Sequence, residues 1–387
     1  MIETLAISGY RSIRELAVPL QRLNVVTGAN GSGKSSLYRA LRLLAEAAQG
    51  GLIAALAREG GFDSTLWAGP ENPSAAVRRG EFPLQGTRRN RPVALRLGFA
   101  GEAFSCAFEL GLPVPSLSAF SGDPQIKLES IWSGARPRPA AMLVERHGNF
   151  VQARGEDGEW QVLDSSLPAF ESLFSRLADP QRAPEVLALR ESIRSWRFYD
   201  HFRTDAAAPA RQAQIGTYTP VLGHDGADLA AALQTIREIG DANALEAAID
   251  DAFPGSSIEI GRAGRRFELQ VQQAGLLRPL EAAELSDGTL RYLLLVAALL
   301  TPRPPQLMVL NEPETSLHPD LLPALGRLIR HAAQHSQLIV VSHAARLVAA
   351  LEDDPDCNTL QLIKEHGETR LRGASLLDAG RWKWPER

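Results

Sequence analysis

The sequence has little cysteine, no excess of charge of either sign and no long apolar run. Its 387 residues include two cysteines, Cys106 and Cys357, which are far apart and lack the spacing of metal ligands. Two isolated thiols argue against a disulfide-built fold and against a cysteine metal centre, and they are typical of a reducing compartment.

A uniformly basic surface is also missing. Lys and Arg total 41 against 45 Asp and Glu, which gives a formal net charge of −4. A chain with this balance attracts DNA only through a local basic patch. Arginines cluster at Arg78-Arg79, at Arg88-Arg89 with Arg91, and at Arg262 with Arg265-Arg266. Such clusters are also common on solvated loops, so a DNA-binding patch and an ordinary polar surface both stay open.

No segment has the pattern of a membrane span or an export signal. The longest apolar run, Leu293–Leu300, is far shorter than the roughly 20 residues that cross a bilayer. The first residues, Met1–Leu5, contain the acidic Glu3 and no long apolar stretch. We therefore expect a cytoplasmic protein without a membrane partner.

Hydrophobic patterning divides the chain into a core and an insertion. Residues 1–60 and 280–387 predict an α/β core, and residues 61–279 predict an inserted antiparallel β arm with a helical lobe. In the insertion we expect strands at 93–99, 104–110, 126–132, 142–146, 150–153, 257–260 and 267–272, and helices at 166–200 and 227–251. In the core we expect strands at 23–27, 306–310 and 337–341, helices at 290–300 and 321–333, and a hairpin of 359–364 with 369–371.

A glycine-rich loop follows the strand at 23–27. Residues 28–35 have the sequence GANGSGKS and match G-x-x-x-x-G-K-[ST] at every fixed position. Glycines let the backbone turn its N–H groups toward a phosphate, and the dipole of the next helix adds positive potential. We expect Lys34 to reach the outer phosphates of ATP and the Ser35 hydroxyl to bind Mg²⁺. The residues predicted to bind nucleotide here are Asn30, Gly31, Ser32, Gly33, Lys34, Ser35 and Ser36.

The second chemical signal is an apolar strand that ends in polar residues. Residues 307–314 have the sequence LMVLNEPE, and ligands of α/β proteins bind at the carboxyl ends of strands. Glu312 is the natural general base for a water that attacks phosphate, although it could instead cap the next turn. Asn311 stands where most nucleotide hydrolases of this build carry Asp, so we expect it to hold magnesium less tightly and turnover to be slow.

Four further motifs resemble those of ABC-type ATPases in the RecF, SMC and OLD group. Residues 285–289 (LSDGT) resemble the ABC signature, and residues 314–319 (ETSLHP) are similar to that group's D-loop. Ser342-His343 ends an apolar strand, as the switch histidine of that group does. Residues 9–13 (GYRSI) are similar to the F-R-S element of RecF and SMC heads.

The resemblance implies an α/β, ABC-type P-loop head that carries a long inserted antiparallel β and helical subdomain. It also implies that Ser286 and Gly288 of one subunit close on ATP held by the other, that His343 assists hydrolysis, and that Arg11 belongs to the nucleotide site. Because the chain has one phosphate loop and one signature, a symmetric homodimer is expected.

Two functions stay open. The first is an ATP-gated protein that acts on DNA, in repair, chromosome maintenance or phage defence. The second is a regulatory ATPase that controls a protein effector such as a nuclease, because the residues after His343 are too few for the nuclease domain of OLD proteins. A transporter subunit is disfavoured by the long insertion, and a GTPase by the lack of an N-K-x-D motif.

Overall fold

The structure is a computed structural model, and it describes residues 1–70, 94–155, 157–373 and 382–386. The strands in these ranges are β1 Ile2–Tyr10, β2 Ile13–Pro19, β3 Leu23–Thr27, β4 Ala94–Gly101, β5 Phe104–Gly111, β6 Gln125–Ser133, β7 Met142–His147, β8 Phe150–Arg154, β9 Trp160–Asp164, β10 Arg197–Tyr199, β11 Gln214–Ile215, β12 Ser257–Ala263, β13 Arg266–Gln272, β14 Leu280–Glu281, β15 Leu307–Asn311, β16 Gln337–Val341, β17 Cys357–Glu365 and β18 Glu368–Leu371. The α-helices are α1 Lys34–Gln49, α2 Leu52–Arg58, α3 Phe62–Thr65, α4 Leu173–Arg176, α5 Pro184–Ser195, α6 Leu229–Ile239, α7 Ala242–Ala252, α8 Asp287–Leu299, α9 Leu322–Ala333 and α10 Ala345–Glu352.

The chain divides into two compact units. The first comprises Met1–Gln21, Thr27–Ser195 and Leu360–Arg387, and the second comprises Arg22–Val26 and Trp196–Thr359. The domain boundaries that we predicted, 1–60 with 280–387 against 61–279, stay a prediction.

The first unit is built on an eight-stranded antiparallel sheet. Its strand order is β2-β1-β4-β5-β6-β7-β8-β9, so the N-terminal hairpin continues into the strands predicted for the insertion. Ile7 of β1 lies opposite Leu97 of β4. The alternating segments between residues 94 and 153 form strands, as predicted, and β9 is an additional strand that we did not predict.

A buried ion pair braces this sheet. Arg146 and Glu129 are almost fully buried and lie 2.6 Å apart. Arg146 also donates to the carbonyls of Gly148 and Pro168, at 2.6 and 2.8 Å, while Glu129 accepts from the backbone N–H of Leu173 at 2.9 Å. Such a pair tolerates burial because its remaining donors and acceptors are also satisfied.

The prediction of helix throughout 166–200 was wrong in part. Only α4 and α5 are helical there, and residues 197–199 form β10. Between the two helices the Asp179 carboxylate accepts from the backbone N–H groups of Gln181 and Arg182, at 3.0 and 2.9 Å. This side-chain turn competes with helical hydrogen bonding, which explains the break.

The second unit contains a parallel sheet of order β10-β15-β16-β3. The strands β15 and β16 are buried along nearly their whole length, as parallel strands covered on both faces are. Helix α8 is buried from Leu290 to Leu299 and packs into the same hydrophobic core. Its predicted start was late, because the helix begins at Asp287 with Ser286 as its N-cap.

A smaller antiparallel group completes this unit. Strands β11, β13 and β12 lie side by side, and β14 pairs with β13.

Strand β16 of the parallel sheet occupies residues 337–341, as predicted. In the described part of the chain, no helix combines the length and hydropathy that crossing a membrane requires.

Candidate nucleotide site

The backbone of the phosphate loop has a shape that only glycine adopts easily. Gly28, Gly31 and Gly33 have positive φ angles of 148°, 77° and 108°. A Cβ atom at Gly28 would collide with the carbonyl oxygen of Leu362, and one at Gly33 with the side chain of Thr369. The loop therefore needs glycine both for its dihedral angles and for the close approach of the β17–β18 hairpin.

The start of α1 suits an anion. Helix α1 begins at Lys34, no side chain caps its N-terminus, and its first turn contains no acidic residue. The Lys34 ammonium donates to the carbonyls of Gly28 and Ala29, at 2.7 and 3.2 Å, so it lies inside the loop. Backbone N–H groups at a helix N-terminus and a nearby ammonium form the chemistry that binds phosphate.

Thr369 of β18 holds the phosphate loop from a distant part of the chain. Its buried hydroxyl donates to the carbonyl of Ser32 at 2.9 Å and shares a hydrogen bond with Ser12 Oγ at 2.8 Å. Ser12 Oγ in turn lies 3.5 Å from Ser36 Oγ. The Ser32 hydroxyl is itself buried and has no partner among the described residues. Nothing in the local sequence pointed to Thr369.

Arg11, which we predicted in the nucleotide site, is held by other side chains of the first unit. Its Nη2 lies 2.6 Å from Glu59 Oε2, and its Nε donates to the same oxygen at 3.1 Å. Burial opposes the positive charge, but the hydrogen bonds to Glu59 and Tyr10 outweigh that effect and raise the pKa of Arg11. Its φ of 50° belongs to the left-handed region. A role for Arg11 at nucleotide stays a prediction.

The polar ends of three parallel strands lie level with one another in the second unit. Asn311 of β15 pairs in register with Val341 of β16, and Val341 with Val26 of β3. Glu312 directly follows the end of β15, and His343 lies two residues after the end of β16. The chain runs from the end of β3 into Gly28. Glu312 has a φ of 48°, a conformation that non-glycine residues rarely adopt.

The buried carboxylate of Glu314 accepts hydrogen bonds from the residues that follow β16. Glu314 Oε1 accepts from Ser342 Oγ at 2.8 Å and from the backbone N–H groups of His343 and Ala344, at 3.0 and 3.2 Å. His343 Nδ1 lies 3.3 Å from the same oxygen and 3.9 Å from Glu312 Oε1. The structure therefore brings His343 close to both Glu312 and Glu314. In the sequence, Glu314 is the first residue of the D-loop-like motif.

A buried arginine lies beside this group. Arg291 of α8 donates to the carbonyl of Glu312 at 3.3 Å. Burial lowers the pKa of its guanidinium, and the negative charge of Glu314 opposes that shift. Arg291 therefore places positive charge near a cluster of carboxylates.

The signature-like segment begins α8. The Ser286 hydroxyl caps the helix by accepting from the N–H of Thr289 at 3.1 Å. A Cβ atom at Gly288 would lie 2.9 Å from the carbonyl oxygen of Ser316, so glycine allows the signature and the D-loop-like segment to approach closely. Asp287 is ion-paired with Arg211 at 2.7 Å. Ser286 and Gly288 thus lie in the second unit with Glu312 and His343.

The two residues predicted to hold Mg²⁺, Ser35 and Asn311, lie in the first and the second unit respectively, and their role stays a prediction. Ser35 is exposed at the phosphate loop and Asn311 is partly exposed at the end of β15. No group of three or more His, Cys, Asp or Glu that could hold a metal is found within the described ranges. Mg²⁺ is usually bound by one or two protein ligands together with substrate phosphates and water, so an all-protein cage is not required.

Of the three arginine clusters noted in the sequence, one lies among the described residues. Arg78, Arg79, Arg88, Arg89 and Arg91 lie outside the described residues. Arg262, Arg265 and Arg266 surround the exposed tip of the β12–β13 hairpin, where Arg262 stacks over Phe267 and lies 3.5 Å from Glu238.

These features define the class of protein as an ABC-type P-loop ATPase of the RecF and SMC kind. The sequence profile of the AAA_21 family, described as "AAA domain, putative AbiEii toxin, Type IV TA system", matches residues 23–349. The chain therefore belongs to that family.

The chain is also similar to individual proteins. A stretch of 92 residues is 36% identical to the DNA replication and repair protein RecF of Idiomarina loihiensis, and it makes up 23% of this chain and 26% of that protein. The match thus spans about a quarter of RecF. The fold is similar to an SMC head bound to the C-terminal winged-helix domain of ScpA, with a TM-score of 0.50, 14% identity, and coverage of 98% and 99% of the two chains. An SMC head from Pyrococcus furiosus, also bound to the C-terminal domain of ScpA, gives 0.49, 14%, and 98% of both chains.

Proposed function

We propose that the protein binds ATP with Mg²⁺ and hydrolyses it as an ATP-gated homodimer. The observation that carries the proposal is the phosphate loop, whose glycine backbone, enclosed Lys34 and uncapped α1 suit an anion of the size and charge of a triphosphate. The family to which the chain belongs supports ATP as that anion.

Each candidate residue has a physical role in this proposal. The N–H groups of residues 30–36 and the Lys34 ammonium hold the phosphates, and Glu312 accepts a proton from the attacking water. His343, held by Glu314, stabilises charge on the outer phosphate. When bound, Mg²⁺ supplies positive charge to the phosphate oxygens, and Ser35 and Asn311 are the residues that would hold it.

Dimerisation follows from the number of motifs. The chain has one phosphate loop and one signature-like segment. In the proposed dimer the start of α8 in one subunit, with Ser286 and Gly288, meets ATP held by the other, and a two-fold pair completes two equivalent sites.

The test combines turnover with sizing. We expect turnover per subunit to rise with protein concentration, because dimerisation completes the site. Glu312→Gln should keep ATP binding, lose hydrolysis and accumulate as a dimer in ATP and Mg²⁺. The exposed Glu246 on α7 provides a matched control as Glu246→Gln. A Glu312→Gln protein that stays active and monomeric would place the general base elsewhere.

The biological setting that we favour is DNA repair, chromosome maintenance or phage defence. Similarity to RecF supports it, as does the exposed arginine hairpin tip at residues 262–266. Binding to DNA through phosphate contacts should weaken steeply as salt rises. The ATPase rate should therefore be measured with and without DNA at two salt concentrations, with Arg265→Ala compared to wild type.

A second candidate is a regulatory ATPase that holds or releases a protein effector. It is favoured by the segment between β5 and β6, where Val114, Leu117 and Phe120 are largely exposed. Apolar side chains in that arrangement suit a protein partner. ATP-dependent co-purification of one defined protein, together with an ATPase rate that DNA leaves unchanged at both salt concentrations, would favour this candidate.

A further inference from the structure

Arg211 lies in a one-turn 3₁₀ helix, Pro209–Arg211, in the second unit. Its side chain is only 8% exposed although it carries a full positive charge. The guanidinium uses all three nitrogens. Nε donates to the carbonyl of Thr204 at 2.9 Å, and Nη1 donates to the carbonyls of Ala282 and Leu285 at 2.9 and 2.7 Å. Nη2 donates to the Asp287 carboxylate at 2.7 Å.

These acceptors surround the start of the signature-like segment. Ala282 and Leu285 belong to the last turn before the N-cap Ser286, and Asp287 is the first residue of α8. One side chain therefore fixes the backbone on the N-terminal side of Ser286 and the side chain on its C-terminal side. A planar guanidinium suits this task because its donors point in fixed directions, which a lysine ammonium cannot reproduce.

Asp287 occupies the position of the first glycine of the usual ABC signature, L-S-G-G-Q, from which this chain departs at Asp287 and at Thr289. A carboxylate in the first turn of a helix is favourable for that helix, because it faces the positive end of the dipole. The same carboxylate would repel a phosphate brought to that helix end. The ion pair with Arg211 offsets its charge and directs it toward the 204–211 segment.

We infer that Arg211 is a positioning residue for the signature: it fixes the backbone before Ser286 and neutralises Asp287, so that the start of α8 can receive a phosphate. The inference rests on the proposed function, in which that helix end meets ATP. It adds that Arg211 and Asp287 act as one unit in place of the first glycine of the usual motif.

Four variants separate this role from simple stabilisation: Arg211→Ala, Arg211→Lys, Asp287→Asn and the double variant Arg211→Ala/Asp287→Asn. Arg327→Ala is the matched control, since Arg327 makes a two-bond ion pair with Asp251 in the same unit but is half exposed. For each protein we would measure amide hydrogen exchange over residues 282–290, affinity for a fluorescent ATP analogue, and turnover at saturating ATP.

We expect Arg211→Ala to speed exchange at residues 282–290 and to lower turnover at least about tenfold, as loss of charge-assisted hydrogen bonds predicts. Its affinity for nucleotide as a monomer should stay within a few-fold of wild type, because the phosphate loop is intact. Adding Asp287→Asn should recover part of the turnover, since the unpaired carboxylate is then gone. Asp287→Asn alone should lose less turnover than Arg211→Ala, because Arg211 keeps its bonds to the backbone before Ser286. Arg327→Ala should stay close to wild type.

Two results would overturn the inference. The first is wild-type exchange and turnover in Arg211→Ala. The second is a loss of turnover in Arg211→Ala that Asp287→Asn leaves unchanged. If Arg211→Ala does not fold, Arg211→Lys with and without Asp287→Asn gives the same comparison, with a smaller loss. Failure of the proposed function is distinguishable, because wild-type protein would then bind no ATP, while hydrogen exchange would still report whether Arg211 holds residues 282–290.

Discussion

In the phosphate loop, the Lys34 ammonium lies inside a backbone that glycines shape, whereas at the end of β15 the buried carboxylate of Glu314 holds the neighbouring residues by hydrogen bonds. Gly28, Gly31 and Gly33 set the loop, and the hydroxyl of Thr369 fixes it from outside. At the end of β15, Glu314 accepts hydrogen bonds from the Ser342 hydroxyl and the backbone N–H of His343, while the Glu312 side chain is half exposed. In the proposed function the loop receives the anion, and the Glu314 cluster (Glu312, Glu314, Ser342 and His343) orients the groups that act on it.

This difference predicts that substitutions in the loop change nucleotide affinity, whereas substitutions at the Glu314 cluster change turnover. Lys34→Ala should produce the largest change in affinity. Loss of its charged hydrogen bonds, each contributing about 1.5–3 kcal/mol, should weaken ATP binding about a hundredfold. Titration with a fluorescent ATP analogue measures this. Arg39→Ala, on the exposed side of the same helix, is the control and should bind normally. Affinity within a few-fold of wild type in Lys34→Ala would contradict the assignment of the loop.

The Glu314 cluster should respond in the opposite way. His343→Ala and Glu314→Gln should each lower turnover about tenfold while ATP affinity stays near wild type, because general acid–base groups and their positioning contribute factors of about this size or larger. Since Glu314 acts through His343, the double variant should be no slower than the slower single variant. Glu352→Gln, an exposed carboxylate of α10, is the control. Additive losses in the double variant would show that Glu314 and His343 act independently.

The sequence predicted those elements whose structure depends on residues that are neighbours along the chain. The glycine-rich loop, α1 and the buried strand β16 could all be recognised from motif or periodicity, because neighbouring residues determine them. The partners that hold the candidate site could not. Thr369 contacts Ser32 across 337 positions of the chain, and Arg211 reaches Leu285 across 74. No sequence pattern encodes which distant hydroxyl or guanidinium meets a given carbonyl.

The pairing of β1 with β4 shows the same limit. Both strands alternate as expected, but their union in one sheet depends on long-range register between Ile7 and Leu97. The helix predicted over 166–200 is interrupted at residues 177–183 for a different reason. Asp179 forms a side-chain turn that competes with the helical pattern, and periodicity alone cannot weigh that competition.

A smaller loss of ATP affinity than in Lys34→Ala is expected where the β17–β18 hairpin supports the phosphate loop. Thr369→Val keeps the shape of the side chain but removes the hydroxyl that binds Ser32 and Ser12. Losing this buried hydrogen bond should lower the free energy of unfolding by about 1–3 kcal/mol. It should also weaken ATP binding several-fold, because the loop is less well fixed. Chemical denaturation and nucleotide titration measure the two effects.

The exposed Thr359, whose hydroxyl binds Glu352, is the matched control as Thr359→Val and should change neither quantity appreciably. Thr369→Val with wild-type affinity and wild-type stability would mean that the β17–β18 hairpin only covers the loop. Lower stability with unchanged affinity would mean that the loop keeps its shape without the hydroxyl.

The smallest change in hydrolysis is expected from substitution of Asn311. An Asp at this position would add a negative charge beside Mg²⁺, where the amide offers only a dipole, and charged acceptors form hydrogen bonds roughly twice as strong. Asn311→Asp should therefore reach half-maximal hydrolysis at a lower Mg²⁺ concentration than wild type and turn over faster. No side-chain hydrogen bond holds the Asn311 amide among the described residues, so the substitution should break no existing hydrogen bond.

One opposing effect is the charge of the neighbours. A new carboxylate would join Glu312 and Glu314, and like charges at close range raise a carboxyl pKa and weaken a general base. Glu314 already receives three hydrogen bonds and faces His343, which disperses its charge, so we expect the gain in Mg²⁺ affinity to exceed this cost. A magnesium titration of turnover in both proteins decides between the effects. If Asn311→Asp needs as much Mg²⁺ as wild type and is no faster, Asn311 does not weaken the metal site.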